Sequence, residues 1–185
     1  MKSTLLTMTV SLCGVALLAG AGLAGVNVLT EKPIAEAQAE TRRQAIAEIL
    51  PPFDNVPSDE TVVIDGLTLF PASKSGKSVG AAVETFSDNG FSGRITILAG
   101  FDECCRLTGF QVLSHAETPG LGARMSEWFS SEGSTHNVAG MSAPFALKAD
   151  GGDIDAITGA TISSRAFMEA INKASEAVTK YQTER

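Results

Sequence analysis

From Ser3 to Thr30 the chain carries no charged side chain, and this run limits what it can fold into more than any other stretch. At about 1.5 Å per residue it reaches about 42 Å as a helix, more than the ~30 Å hydrocarbon core of a bilayer. A cleaved signal peptide is the rival reading, with Ala37-x-Ala39 as its processing site. Signal peptides normally have an apolar region of about 7–15 residues, far shorter than this one, so a retained transmembrane anchor over residues 1–30 is expected. Gly20, Ala21, Ala24 and Gly25 give small-xxx-small spacings that suit packing against other membrane helices. Lys2 precedes the run and Lys32, Arg42 and Arg43 follow it, so positive charge alone does not orient the anchor.

Pro33 sits where a first helical position is expected, and Ile34, Ala37, Ala45, Ile46, Ile49 and Leu50 continue a helical pattern. Pro51-Pro52 ends it. Residues 31–55 therefore read as a helical stalk, and residues 56–185 as the folded domain. Within that domain Thr61–Ile64 and Leu67–Phe70 flank Asp65-Gly66, a strong two-residue hairpin signal. Strand-like runs follow at Val79–Phe86, Arg94–Phe101 and Thr108–His115. Ser87–Gly90 and Asp102–Arg106 read as the turns between them, which gives an antiparallel meander. A short helix around Met125–Ser130 and a carboxyl-terminal helix would cover one face. The expected class is α+β: a single amino-terminal transmembrane helix, then an antiparallel sheet with packed helices.

The formal net charge of −7 argues against a nucleic-acid partner, which needs a basic face. Three cysteines make no disulfide framework: Cys13 lies in the apolar run, and Cys104 and Cys105 are adjacent. With His115 they still fall short of a four-ligand metal set, so no metal site is assigned and both thiols are expected to be buried beside a turn. His136 has no partner by spacing and reads as exposed and idle. Trp128 and Phe129 read as core rather than as rings stacked on a ligand.

Two segments carry the chemistry. His115-Ala-Glu-Thr-Pro-Gly-Leu-Gly122 leaves a strand and turns through Pro119, Gly120 and Gly122, laying backbone against something flat, with Leu121 beside it. Asp155-x-x-Thr158-Gly159-Ala160-Thr161 opens a helix whose buried stripe is Phe167, Ala170, Ile171, Ala174, Val178 and Tyr181. Glu169 with Lys173 and Glu176 with Lys180 pair on its other face. Gly159 permits positive φ or close approach, and a helix start is a ready anion site. The plain alternative for Thr161, Ser163 and Ser164 is that their hydroxyls cap free helix N–H groups.

These segments resemble the FMN-binding subunits of the Rnf electron-transport complex and of its relative, the sodium-pumping NADH:quinone reductase. Gly90-Phe91-Ser92-Gly93 before a central strand, Lys148 and Gly151-Gly152 add to the likeness. The resemblance is nearest the G subunits of Rnf-type complexes, which are ion-translocating ferredoxin:NAD⁺ oxidoreductases. The C subunit of the sodium-pumping enzyme is an alternative, and so is a non-redox membrane module for assembly or sensing. The resemblance implies FMN joined through its phosphate to Thr161 by a flavin transferase. Thr158, Gly159 and Ala160 would shape the phosphate turn, and Asp155 would position the segment or serve the transferase. Glu117, Thr118, Gly120, Leu121 and Gly122 would hold the ring. It further implies partner subunits in a lipid bilayer and an extracytoplasmic domain on the inner membrane. No residue is assigned as a catalytic acid or base, and electron relay would require the partners.

Overall fold

The computed structural model describes residues 2–184, without the side chains of residues 2, 3 and 5; the charge of Lys2 thus lies outside what is described. The chain divides into two compact units, residues 1–42 and 43–185. Helix α1, Lys2–Ile49, is the first element. It is long and apolar enough to cross a membrane, and none of its most apolar window is buried in the protein. Pro33 lies inside α1 rather than at the start of a second helix. A proline removes one backbone donor and crowds the preceding turn, which this helix accommodates without a break.

In the second unit, β1 (Val62–Ile64), β2 (Leu67–Lys74), β3 (Lys77–Gly90), β4 (Gly93–Asp102) and β5 (Leu107–Ser114) pair in sequence order. Every neighbouring pair is antiparallel. Asp65 and Gly66 take φ of 51° and 79°, the backbone that a tight two-residue hairpin demands. The turn expected at Ser87–Gly90 is instead the end of β3, and the reversal falls on Phe91-Ser92, between the paired Gly90 and Gly93. Ser87 remains in the strand because its hydroxyl donates to Glu169 Oε2 at 2.8 Å. That side-chain bond outweighs its preference for turns.

Helix α2 (Met125–Phe129) follows a short 3-10 turn, and α3 (Thr161–Thr183) closes the domain. The α3 stripe is buried as expected from Phe167 through Val178, with Tyr181 half-buried at its edge. Phe167 stacks on Phe129 at 4.4 Å and meets Phe110 edge-on at 4.8 Å, tying α3 to α2 and β5. Lys173 pairs with Glu169 at 2.6 Å, whereas Lys180 reaches Asp65 in the first hairpin. The other sheet face is smaller: Ala45, Ile46, Ile49 and Leu50 pack on Phe70, Ala72, Ala82 and Leu98.

Cys104 is exposed and Cys105 half-exposed, not buried. Asp102 explains the difference: its carboxylate accepts from the N–H groups of Cys104 and Arg106, holding a tight turn that projects outward. The Cys105 thiol donates to Gln182 Oε1 at 3.0 Å.

Candidate functional site

The two chemistry-bearing segments meet beside the amino end of α3. Pro119-Gly120 turns the chain with Gly120 at φ 77°, closed by the Leu121 N–H donating to Thr118 O at 3.2 Å. Ile157 to Ala160 makes a second turn, with Gly159 at φ 77° and the Ala160 N–H donating to Ile157 O at 2.9 Å. Both need a residue that tolerates positive φ at the third position, and glycine supplies it. Between the turns lies a cleft of about 330 Å³ lined by Glu117, Thr118, Leu121, Gly122, Gly159, Ala160 and Thr161. The resemblance also implicates Thr158 and Gly120; both shape the turns without lining the cleft. Phe91, Ile162 and Ser163 line it too: the sequence marks Phe91 only as part of a Gly-aromatic turn and Ser163 only as a capping hydroxyl, and nothing in it marks Ile162.

The hydroxyls at the α3 start divide their work. Thr161 is the first residue of α3, half-buried on the cleft wall. No side chain caps the helix, so the expected N-cap bonds are not made. Ser164 Oγ donates to Ala160 O at 2.9 Å and accepts from the Ile157 N–H at 3.0 Å, which locks the Ile157–Ala160 turn. Ser163 Oγ donates to Glu117 Oε2 at 2.5 Å. Thr161 Oγ has no such bond within the described residues and is left free toward the cleft. The Ser164 N–H makes the first bond into the helix, to Ala160 O at 3.0 Å, so the N–H groups before it remain available to an anion.

The rim is apolar. Phe91, Leu121 and Ile162 keep 66%, 42% and 50% of their surface, though each is a large hydrophobic side chain. Three such residues around one cleft mark a binding surface for a flat, largely apolar group. Space is kept by glycine: a Cβ on Gly122 would collide with Ser163 Oγ, and one on Gly159 would touch Leu121. A free hydroxyl, unpaired helix N–H groups and an apolar rim fit a phosphate-bearing aromatic cofactor.

Asp155 stands outside the cleft and fixes the segment that leads to it. Its carboxylate accepts from Lys148 Nζ at 2.7 Å and from Thr135 Oγ1, and its backbone oxygen accepts from Trp128 Nε1 at 3.0 Å. The Lys148 bond is the main reason its carboxyl lies below the usual aspartate range. Arg165 likewise holds Asp150 low through two-nitrogen bonding. His136 is not idle: it is half-buried and stacks on Trp128 with ring centres 4.0 Å apart. His115 is exposed, with Nδ1 accepting from the Glu117 N–H at 3.2 Å. Among the described residues no group of three or more His, Cys, Asp or Glu is placed to hold a metal ion.

Comparison with known proteins agrees with this geometry. Residues 90–176 match the FMN-binding domain family, a span that contains the hairpin tip, both turns and most of α3. The chain is 36% identical over 185 residues to the G subunit of the ion-translocating oxidoreductase complex of Pseudomonas aeruginosa, covering 88% of this chain and 84% of that one. The corresponding G subunit of Yersinia pestis is 36% identical over 164 residues, covering 80% and 78%. That of Shewanella amazonensis is 30% identical over 199 residues, covering 100% and 93%. The chain belongs to the family of G subunits of ion-translocating oxidoreductase complexes.

Proposed function

We propose that the protein is the membrane-anchored flavoprotein subunit of an ion-translocating ferredoxin:NAD⁺ oxidoreductase and carries FMN as a phosphoester on Thr161. The observation that supports this most is the free Thr161 hydroxyl. It lies on the wall of an apolar-rimmed cleft while the neighbouring serines are both committed to structural bonds. When bound, FMN supplies a reversible electron acceptor, so the protein's task is to hold and tune it. Thr161 provides the ester oxygen, and the α3 amino end offsets the phosphate charge through its N–H groups and dipole. Thr158, Gly159 and Ala160 keep the backbone low beside the phosphate. Thr118, Leu121 and Gly122 form the ring-side wall, Gly120 sets the turn that carries them, and Phe91 and Ile162 screen it from water.

Asp155 holds the attachment segment in register through Lys148 and Trp128. A flavin transferase would act on the exposed Thr158–Gly159 approach. Helix α1 anchors the chain in the bilayer as a single pass, and the domain faces the extracytoplasmic side. Electrons enter and leave through partner subunits, so the isolated chain turns over no substrate.

Attachment is tested on protein made alongside a flavin transferase. The denatured band fluoresces as a flavin, and the peptide containing Thr161 gains the mass of FMN less water. Thr161→Val abolishes both signals, whereas Ser163→Ala and Ser164→Ala keep them. Fluorescence that persists in Thr161→Val overturns the assignment.

A further inference from the structure

Glu117 is 5% exposed, and both of its carboxylate oxygens are spent inside the protein. Oε1 accepts from the Ser92 N–H at 3.0 Å and Oε2 from Ser163 Oγ at 2.5 Å. One side chain therefore joins the β3–β4 hairpin tip, the Pro-Gly turn and the first turn of α3. The two donors lie 25 and 46 residues from it in the chain. No lysine or arginine pairs with it among the described residues, so the two donors alone compensate a buried acid.

Two glycines record the space this takes. A Cβ on Gly90 would collide with Gly93 O and come within 2.7 Å of Glu117 Oε1, and a Cβ on Gly122 would collide with Ser163 Oγ and come within 2.7 Å of Glu117 Oε2. Neither position has the positive φ that would itself call for glycine. At both positions the carboxylate shares the crowded space with a second neighbour, the hairpin backbone at Gly90 and its own hydrogen-bond partner at Gly122, so two different segments close tightly around Glu117.

We infer that Glu117 is a positioning residue rather than a ring contact. Its carboxylate clamps the attachment helix to the ring-side wall and to Phe91's hairpin, so that a group tethered at Thr161 has one seat. This rests on the flavin reading of the cleft. Removing the clamp leaves the Thr161 oxygen untouched, so attachment persists while the three walls drift apart. Losing bonds to a buried charged group shifts such an equilibrium by roughly ten- to a hundredfold toward the loose state.

The experiment uses full-length protein made with a flavin transferase, comparing wild type, Glu117→Ala, Glu117→Gln and Ser163→Ala. All four are expected to carry the FMN mass. Glu117→Ala lowers the flavin fluorescence anisotropy and moves its reduction potential toward that of free FMN. Ser163→Ala, which removes one bond, moves both in the same direction by less. Glu117→Gln restores both, because an amide oxygen can accept from the Ser92 N–H while the amide nitrogen donates to Ser163 Oγ. A loaded Glu117→Ala protein with wild-type anisotropy and potential overturns the inference, as does Glu117→Gln behaving like Glu117→Ala. If Glu117→Ala does not fold, Ser163→Ala carries the same test. If wild type itself bears no FMN, the cofactor reading fails separately. The clamp is then read from slow hydrogen exchange at the Ser92 N–H, lost in Ser163→Ala and Glu117→Ala and kept in Glu117→Gln.

Discussion

The two faces of the sheet are built on different terms. The face under α3 holds a large core together with buried polar side chains, among them Thr85, Ser87, Glu117, Ser163 and Ser164. The opposite face, under the last turns of α1, is a core of alanine, isoleucine, leucine and phenylalanine. Gly100 and Gly109 leave room there for the helix end; a Cβ on Gly100 would come within 2.8 Å of Ile49 O. An apolar seat is cheap to make and carries no chemistry. Buried hydroxyls and a buried acid cost desolvation, and here they gather where a cleft has to keep its shape.

The largest test of this contrast is Phe167→Ala, which empties the stack on Phe129 and Phe110 at the centre of the α3 face. A loss of about 3–5 kcal/mol is expected in denaturant unfolding, as for other buried phenylalanines. A cost below about 1 kcal/mol would show that α3 is not the main buttress of the sheet.

Next comes a matched pair, Gly122→Ala and Gly100→Ala. Both force a methyl into occupied space, and overpacking of this kind costs about 1–3 kcal/mol. Their functional outcomes should part. Gly122→Ala pushes Ser163 and Glu117 and loosens the bound flavin, read as anisotropy. Gly100→Ala lifts the end of α1 and leaves the flavin signal unchanged. Equal effects on the flavin would mean that the two faces are coupled more tightly than their chemistry implies.

Ser164→Ala is smaller. It strips the acceptor from the Ile157 N–H and the donor from Ala160 O, for about 1–3 kcal/mol, the cost of leaving a buried group unpaired. Attachment at Thr161 should persist.

Much of this was legible in the chain because it depends on short-range signals. Asp65-Gly66 fixes a hairpin by backbone φ alone, and the α3 stripe is periodic over its whole length. Both turns of the cleft are marked by glycine at the position that needs it. What escaped depends on partners distant in sequence. Ser87 reads as a turn residue until Glu169, brought up by α3, accepts its hydroxyl. His136 reads as idle until the loop folds it onto Trp128. Phe91 and Ile162 join the cleft only once hairpin and helix meet. The three hydroxyls of Thr161, Ser163 and Ser164 look alike as a capping cluster; only their separate partners show which one is free.

The finest test concerns acid, and it bears on the α3 face. Asp150, held low chiefly by its bonds to Arg165, and Asp155, held low chiefly by Lys148, both brace the segment entering α3. A carboxyl whose folded pKa lies below its unfolded value binds fewer protons folded than unfolded as pH falls between the two. The stability from these pairs is therefore complete above the ordinary aspartate value, about pH 4, and fades as the pH drops through the folded values. Both pairs are exposed, so the effect is modest and salt should weaken it further. Melting temperatures of wild type and of Arg165→Met with Lys148→Met, followed from pH 7 to pH 3, should differ near neutrality and converge in acid. A gap that stays constant across that range would mean that these side chains stabilise by packing their stems, with no contribution from their charge.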